Sequence, residues 1–242
     1  MALDTNKYQA DAGSVKVEST NPPILRIIQK GSAEFDVTHK QHKEKMIAGC
    51  KVGDIIHATL GTIIPRPLEV IPLHSQTMYA EWRPKKLGGG FITHRPMSIV
   101  SDKGYSREDR KEFLGENELL LTIYYFVLYR SKDEWLKAVI PFTATGLKHA
   151  RRWAKIINSH TDEAFREKAP PYACIYLLNT EPENNEKGSW MGWSIEKGKA
   201  LAALPQAEAE AMLELAHKTG MEARQGSQAA LPVAAGGEDV PY

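Results

Sequence analysis

Short apolar or alternating runs bounded by Gly and Pro dominate residues 52–196, which predicts strands for most of that region. The strongest run, residues 118–130 (ELLLTIYYFVLYR), is apolar on both faces and predicts a central strand, with Tyr124, Tyr125, Phe126 and Tyr129 mainly in the core. A turn at 131–134 leads to its hairpin partner at 135–142. Residues 68–82 alternate from Ser75 onward, with Thr77, Tyr79 and Glu81 on one face and Met78, Ala80 and Trp82 on the other. Pro72 makes this stretch either two short strands or one edge strand with a bulge. Residues 91–95 read as its return strand. The turn signal GCKVGD (49–54) leads into a first core strand at 55–60, and 172–179 and 190–195 complete the set. In the last of these, Trp190 and Trp193 fall on opposite faces, so one is core and the other exposed.

Helical spacing appears twice. After Thr145 as N-cap, Leu147, Ala150, Trp153 and Ile157 form a core-facing stripe. Residues 206–221 are rich in Ala, Glu and Leu, and Gly220 is the expected stop. Residues 24–28 follow a Pro pair and pack as a strand or short turn, 101–115 read as a charged loop, and 181–188 as a polar turn. The organisation expected is an N-terminal arm and packing segment (1–48), a core domain (49–200), a C-terminal helix (201–225) and a disordered tail with an acidic, aromatic-ended tip (226–242). This is a β-rich α+β chain, and its strand count suits an OB-like Greek-key barrel with inserted and C-terminal helices.

Composition adds little to that picture: 42% hydrophobic and 25% charged residues are ordinary for a water-soluble fold. No apolar run reaches spanning length and no basic-then-apolar leader opens the chain, so a cytoplasmic, non-membrane protein is expected. Cys50 and Cys174 are far apart and expected to stay reduced. With His39 and His42 they make an incomplete zinc set, so no metal or other cofactor is expected.

Charge changes the picture through its distribution. The net charge is only +1, yet residues 79–107 carry six Lys/Arg against two acids. There, Tyr79, Trp82, Arg83, Lys85, Lys86, Phe91, His94 and Arg95 interleave aromatics with cations around Gly88-Gly89-Gly90, and Lys103, Tyr105 and Arg107 follow. Such a set suits a sequence-tolerant binder of single strands, because every base has a face to stack and every phosphate attracts a cation. The glycines lack the spacing of a phosphate loop. On the helix at 145–158, Lys148, Arg151, Arg152 and Lys155 share a side without an acid and extend the basic surface only if the fold brings it near the hairpin.

The last residues, Glu238, Asp239, Val240, Pro241 and Tyr242, end a small-residue, Pro/Gly-punctuated stretch that cannot bury enough apolar area to order itself. This tip resembles that of single-stranded DNA-binding proteins, and with the barrel pattern the chain looks like the phage-encoded members of that group. The stretches YAEWRPKKLGGGF (79–91) and GCKVGD also look like small phage proteins of largely unassigned role. The resemblance implies a protein without catalytic activity that acts in DNA replication, recombination or repair in the host cytoplasm, and it leaves a homo-oligomer open. Trp82, Phe91 and Tyr79 or Tyr105 would stack bases, Arg83, Lys85, Lys86, Arg95 and Lys103 would follow the backbone, and the tip would recruit replication or repair proteins. Two other classes stay open: a structural or interaction protein of a phage, and a metal-dependent nuclease, echoed by Asp54, Glu69, Glu81 and Lys85.

Overall fold

The computed structural model describes residues 23–161, 168–186 and 188–225. A three-stranded antiparallel sheet comes first: β1 (Leu25–Ile27), then, after the single-turn α1 (His42–Lys45), β2 (Ile55–His57) and β3 (Thr62–Ile64). The run at 55–60 therefore makes only a three-residue strand. The main sheet has eight strands, all antiparallel. Its spine is the pair β4 (Leu68–Trp82) and β8 (Asn117–Ser131), each of 15 residues. β5 (Phe91–Arg95) pairs with the end of β4, and β6 (Tyr105–Glu108) with β7 (Lys111–Leu114) extends the start of β8. β9 (Glu134–Thr143) pairs with the rest of β8. After α2 (Leu147–Asn158), the hairpin of β10 (Cys174–Asn185) and β11 (Gly188–Ala200) joins the first residues of β4. α3 (Gln206–Gln225) closes the described chain.

Pro72 sits where this pattern tolerates it. β4 pairs with β10 only at Leu68, Glu69 and Val70 and with β5 only from Tyr79 on, so the outer edge between those ladders needs no strand donor. The register against β8 shifts there, giving one bulged strand rather than two.

Both faces of the spine are covered. On one, Tyr125, Val127 and Tyr129 of β8 pack with Trp153 of α2, Tyr176 of β10 and Leu25 of β1. On the other, Ile71, Leu73 and Leu128 pack under Met212 and Ala216 of α3. The helix stripe is as expected, with Ala150, Trp153 and Ile157 buried, but Thr145 lies in a 3-10 turn before α2 and does not cap it. Gly220 does not stop α3 either: it is a buried interior residue, and a Cβ there would stand 3.7 Å from the Leu73 backbone oxygen. That distance is an ordinary contact, so the site accepts a small residue and does not require glycine.

Three further expectations are corrected. The stretch 101–115 contains a hairpin, β6–β7, turned by Asp109 and Arg110, both at positive φ (47° and 67°), the geometry a two-residue hairpin turn requires. Residues 181–185 are strand rather than turn: they pair only with β11, and this ribbon carries Pro182 without losing a ladder bond on its other side. Finally, the OB-like Greek-key barrel does not form. Among the described residues the sheet stays open, because its edge strands β9 and β11 do not pair with each other. The segment at β1 lies between them: Val139 N–H donates to the Pro23 carbonyl at 2.8 Å, and the Gln29 amide exchanges two 2.9 Å bonds with the Met191 backbone.

Candidate nucleic-acid interface

Alternation along β4 and β8 sorts the predicted site residues onto two faces. On one, Trp82 meets Phe91 edge-on, with ring centroids 5.7 Å apart; Phe91 lies 4.7 Å from His94, and His94 lies 5.2 Å from Tyr124. His94 Nε2 and the Tyr124 hydroxyl are hydrogen-bonded at 2.9 Å. Trp82, Phe91 and Tyr124 form one wall of a cleft of about 860 Å³. Trp82 is 7% exposed, and its indole N–H is buried there without a hydrogen-bond partner. A ligand carrying an acceptor oxygen or nitrogen would satisfy it.

Burial pushes His94 down from its ordinary 6.5 to about 4. Above pH 6.5 the ring is neutral in folded and unfolded chains alike. Between pH 6.5 and about 4 the unfolded chain binds a proton that the folded one refuses, so stability falls across that window. With the ring partly open to solvent, the expected loss is about 1–2 kcal/mol. Urea midpoints at pH 7 and 4.5 check it: His94→Gln should flatten the pH slope, and equal slopes in both proteins would exclude His94 as its origin.

The opposite face holds Tyr79. It is 3% exposed, and its hydroxyl donates to Glu112 Oε1 at 3.2 Å, the same oxygen that receives the Tyr105 hydroxyl at 2.8 Å. Burial, then the Glu112 charge, pushes the Tyr79 phenol up to about 12. The fold thus turns Tyr79 away from the cleft and joins it to Tyr105. Beside them, Glu81 is buried between Arg95 Nε and Asn117 Nδ2, each at 2.6 Å. Arg95 is therefore held by a carboxylate.

Between Trp82 and Phe91, residues 83–90 form the turn at the end of the aromatic wall. Arg83 N–H donates to the Gly90 carbonyl at 2.9 Å, and Gly88, Gly89 and Gly90 all take positive φ (96°, 65° and 104°), which Gly adopts without strain. Arg83, Lys85 and Lys86 are exposed on this turn, and Lys103 and Arg107 are exposed at the β6 hairpin.

The cleft's other wall comes from α2 and β11, with His149, Trp190 and Trp193. Trp193 is core, while Trp190 is half-buried rather than exposed. Lys148 sits 5.9 Å over the Trp190 ring and 2.8 Å from Glu183 Oε2, which also receives the Trp190 indole N–H at 2.8 Å. Burial alone would raise the Glu183 carboxyl, but Lys148, His149 and Trp190 outweigh it and hold it below the usual range. Arg151 and Arg152 are exposed further along α2. The fold thus brings His149 of α2 and the hairpin's aromatics to one cleft, with Lys148 over the Trp190 ring.

The sequence does not single out His149, and it places Tyr124 mainly in the core and leaves open which of Trp190 and Trp193 is core. The signal for Trp190 lay in the hairpin register, which sets Glu183 opposite it. The carboxylates of the nuclease echo do not converge: Asp54 pairs with Arg66 (3.6 Å), Glu69 with Arg130 (3.2 Å) and Glu81 with Arg95. The tip residues Glu238, Asp239, Val240, Pro241 and Tyr242 lie outside the described residues.

Together these features define a β-rich α+β protein whose open antiparallel sheet carries an aromatic-walled cleft. The chain belongs to the Pam3 phage gp34-like protein family, whose model matches residues 1–228. The tip at 238–242 falls beyond that match. No curated protein and no solved structure matches the chain. No helix among the described residues is long and apolar enough to cross a membrane.

Proposed function

We propose that this phage-family protein binds single-stranded DNA without strong sequence preference, in replication, recombination or repair, as a binding protein rather than an enzyme. The observation that carries the reading is the wall of Trp82, Phe91 and Tyr124, which opens into a cleft beside the exposed cations Arg83, Lys85 and Lys86. A base entering the cleft would meet the Trp82 and Phe91 rings, each stacked base contributing about 1–3 kcal/mol. The phosphates would follow the turn at 83–86 and the exposed side of α2 at Arg151 and Arg152; Arg107, beside Tyr79 and Tyr105 on the opposite face, lies off this path, and Lys103 stands at the same β6 hairpin. Tyr79, buried against Glu112, belongs to the support of this surface. The tip at 238–242, by its likeness to single-stranded DNA-binding proteins, is proposed to recruit replication or repair proteins.

The test is a titration of labelled oligo-dT and of a matched duplex with the full chain at two salt concentrations. Oligo-dT is expected to bind more tightly than duplex and to lose affinity as salt rises. Failure to bind either at low salt would overturn the reading and favour a structural role in the phage.

A further inference from the structure

The strongest unassigned cluster lies beside the cleft, on the β10–β11 ribbon. Glu181 and Glu183, two residues apart on β10, point to one side of it, opposite Gly192 and Trp190 on β11. His149, at the start of α2, completes the group: the ligand atoms of His149, Glu181 and Glu183 all lie within 4.8 Å of one another.

His149 is only 7% exposed, and its Nε2 stands 2.9 Å from Glu183 Oε1 without an in-line hydrogen bond. In its neutral form the imidazole has a lone pair to give. Two ligand atoms 2.9 Å apart have the spacing of neighbouring donors on one ion, since metal bonds of about 2.1 Å at right angles separate them by ~3 Å.

The surroundings are built around Glu183. A Cβ on Gly192 would stand 2.7 Å from the Glu183 carboxyl carbon, so only glycine leaves the carboxylate its position. The Trp190 indole and Lys148 fix its other oxygen, as outer partners orient a metal-binding carboxylate. Two carboxylates against one lysine leave a local negative charge for a cation.

We propose that His149, Glu181 and Glu183 form a binding site for one divalent transition-metal ion, of the Zn²⁺ or Mn²⁺ type, at the cleft wall. One imidazole and two carboxylates favour such ions over Ca²⁺ and Mg²⁺, which take oxygen ligands. Three protein ligands leave coordination positions open. The inference stands apart from the DNA reading and survives its failure.

Calorimetric titration of the full chain with Zn²⁺ alone, and with Mn²⁺ alone, tests it, with Trp190 emission followed in parallel because its indole is bonded to a proposed ligand. One ion per chain is expected, with Mg²⁺ binding at least tenfold more weakly. Glu183→Gln and His149→Gln should each lower affinity tenfold or more. Glu181 is exposed, so Glu181→Gln keeps the fold and should produce a similar loss even if the other two variants misfold. No binding at millimolar metal, or affinity unchanged in Glu181→Gln, would overturn the site.

Discussion

Replacing Trp153 with alanine is expected to lower stability by about 3–5 kcal/mol, the range for deleting a large buried aromatic. Trp153 is fully buried where α2 meets the main sheet: it stacks on Tyr125 at 4.4 Å and meets Phe142 and Tyr176 edge-on at 6.2 and 5.7 Å. Its removal opens a cavity that four elements border, and α2 is too short to hold its place without that anchor. The loss is a large fraction of the about 5–15 kcal/mol that holds a typical domain folded, and it should lower Tm by roughly 6–20 °C. Trp153→Phe keeps most of the contact and should lose much less. Thermal and urea melts of the three proteins check this; an alanine variant within 1 °C of the parent would mean that α2 is not anchored through this ring.

The second large effect concerns the turn at 83–90. Replacing Arg83, Lys85 and Lys86 together by alanine should weaken oligo-dT binding by roughly tenfold or more at low salt and reduce the slope of log affinity against log salt by about 2, since each lost phosphate contact on a single strand removes about 0.7. All three side chains are exposed, so melting should barely change. A Phe91→Ala variant should behave differently: its affinity loss should persist at high salt, because stacking releases no counterions. If the triple variant keeps both affinity and slope, the phosphate path does not run along this turn.

How far the sequence alone revealed this protein depended on whether the governing contact was local. Alternation placed β8 and its hairpin partner and separated Tyr79 from Trp82, because a side chain's face follows from its own strand. The bulge at Pro72 was legible for the same reason. The hairpin at 105–114 was hidden because Asp109 and Arg110 lack the glycine that announces such a turn. The expected stop at Gly220 fails because one glycine inside a helix costs only about 1 kcal/mol, which the packing of α3 on the sheet outweighs. The ribbon at 181–185 looked like a turn because a two-stranded extension with solvent on its sides carries polar residues and a proline. That misreading also concealed the grouping of Glu183, Trp190 and His149, and the cleft could not appear at all, since its walls, Trp82, Phe91 and Tyr124 against His149, Trp190 and Trp193, come from elements that only the tertiary fold brings together.

The pairing of Gln29 with Met191 has a consequence for how the molecule behaves in a crowd. A side-chain amide carries one donor group and one acceptor, the same complement as a peptide unit, and here it satisfies both backbone groups of Met191 on an outer strand. An outer strand left bare invites a neighbouring chain to add its own strand and so to build a fibre. At this point the invitation is already answered from within the same chain. Glutamate, which is an acceptor only, or lysine, a donor only, would answer half of it. Glutamine at position 29 thus closes the edge of β11 to strand addition at Met191.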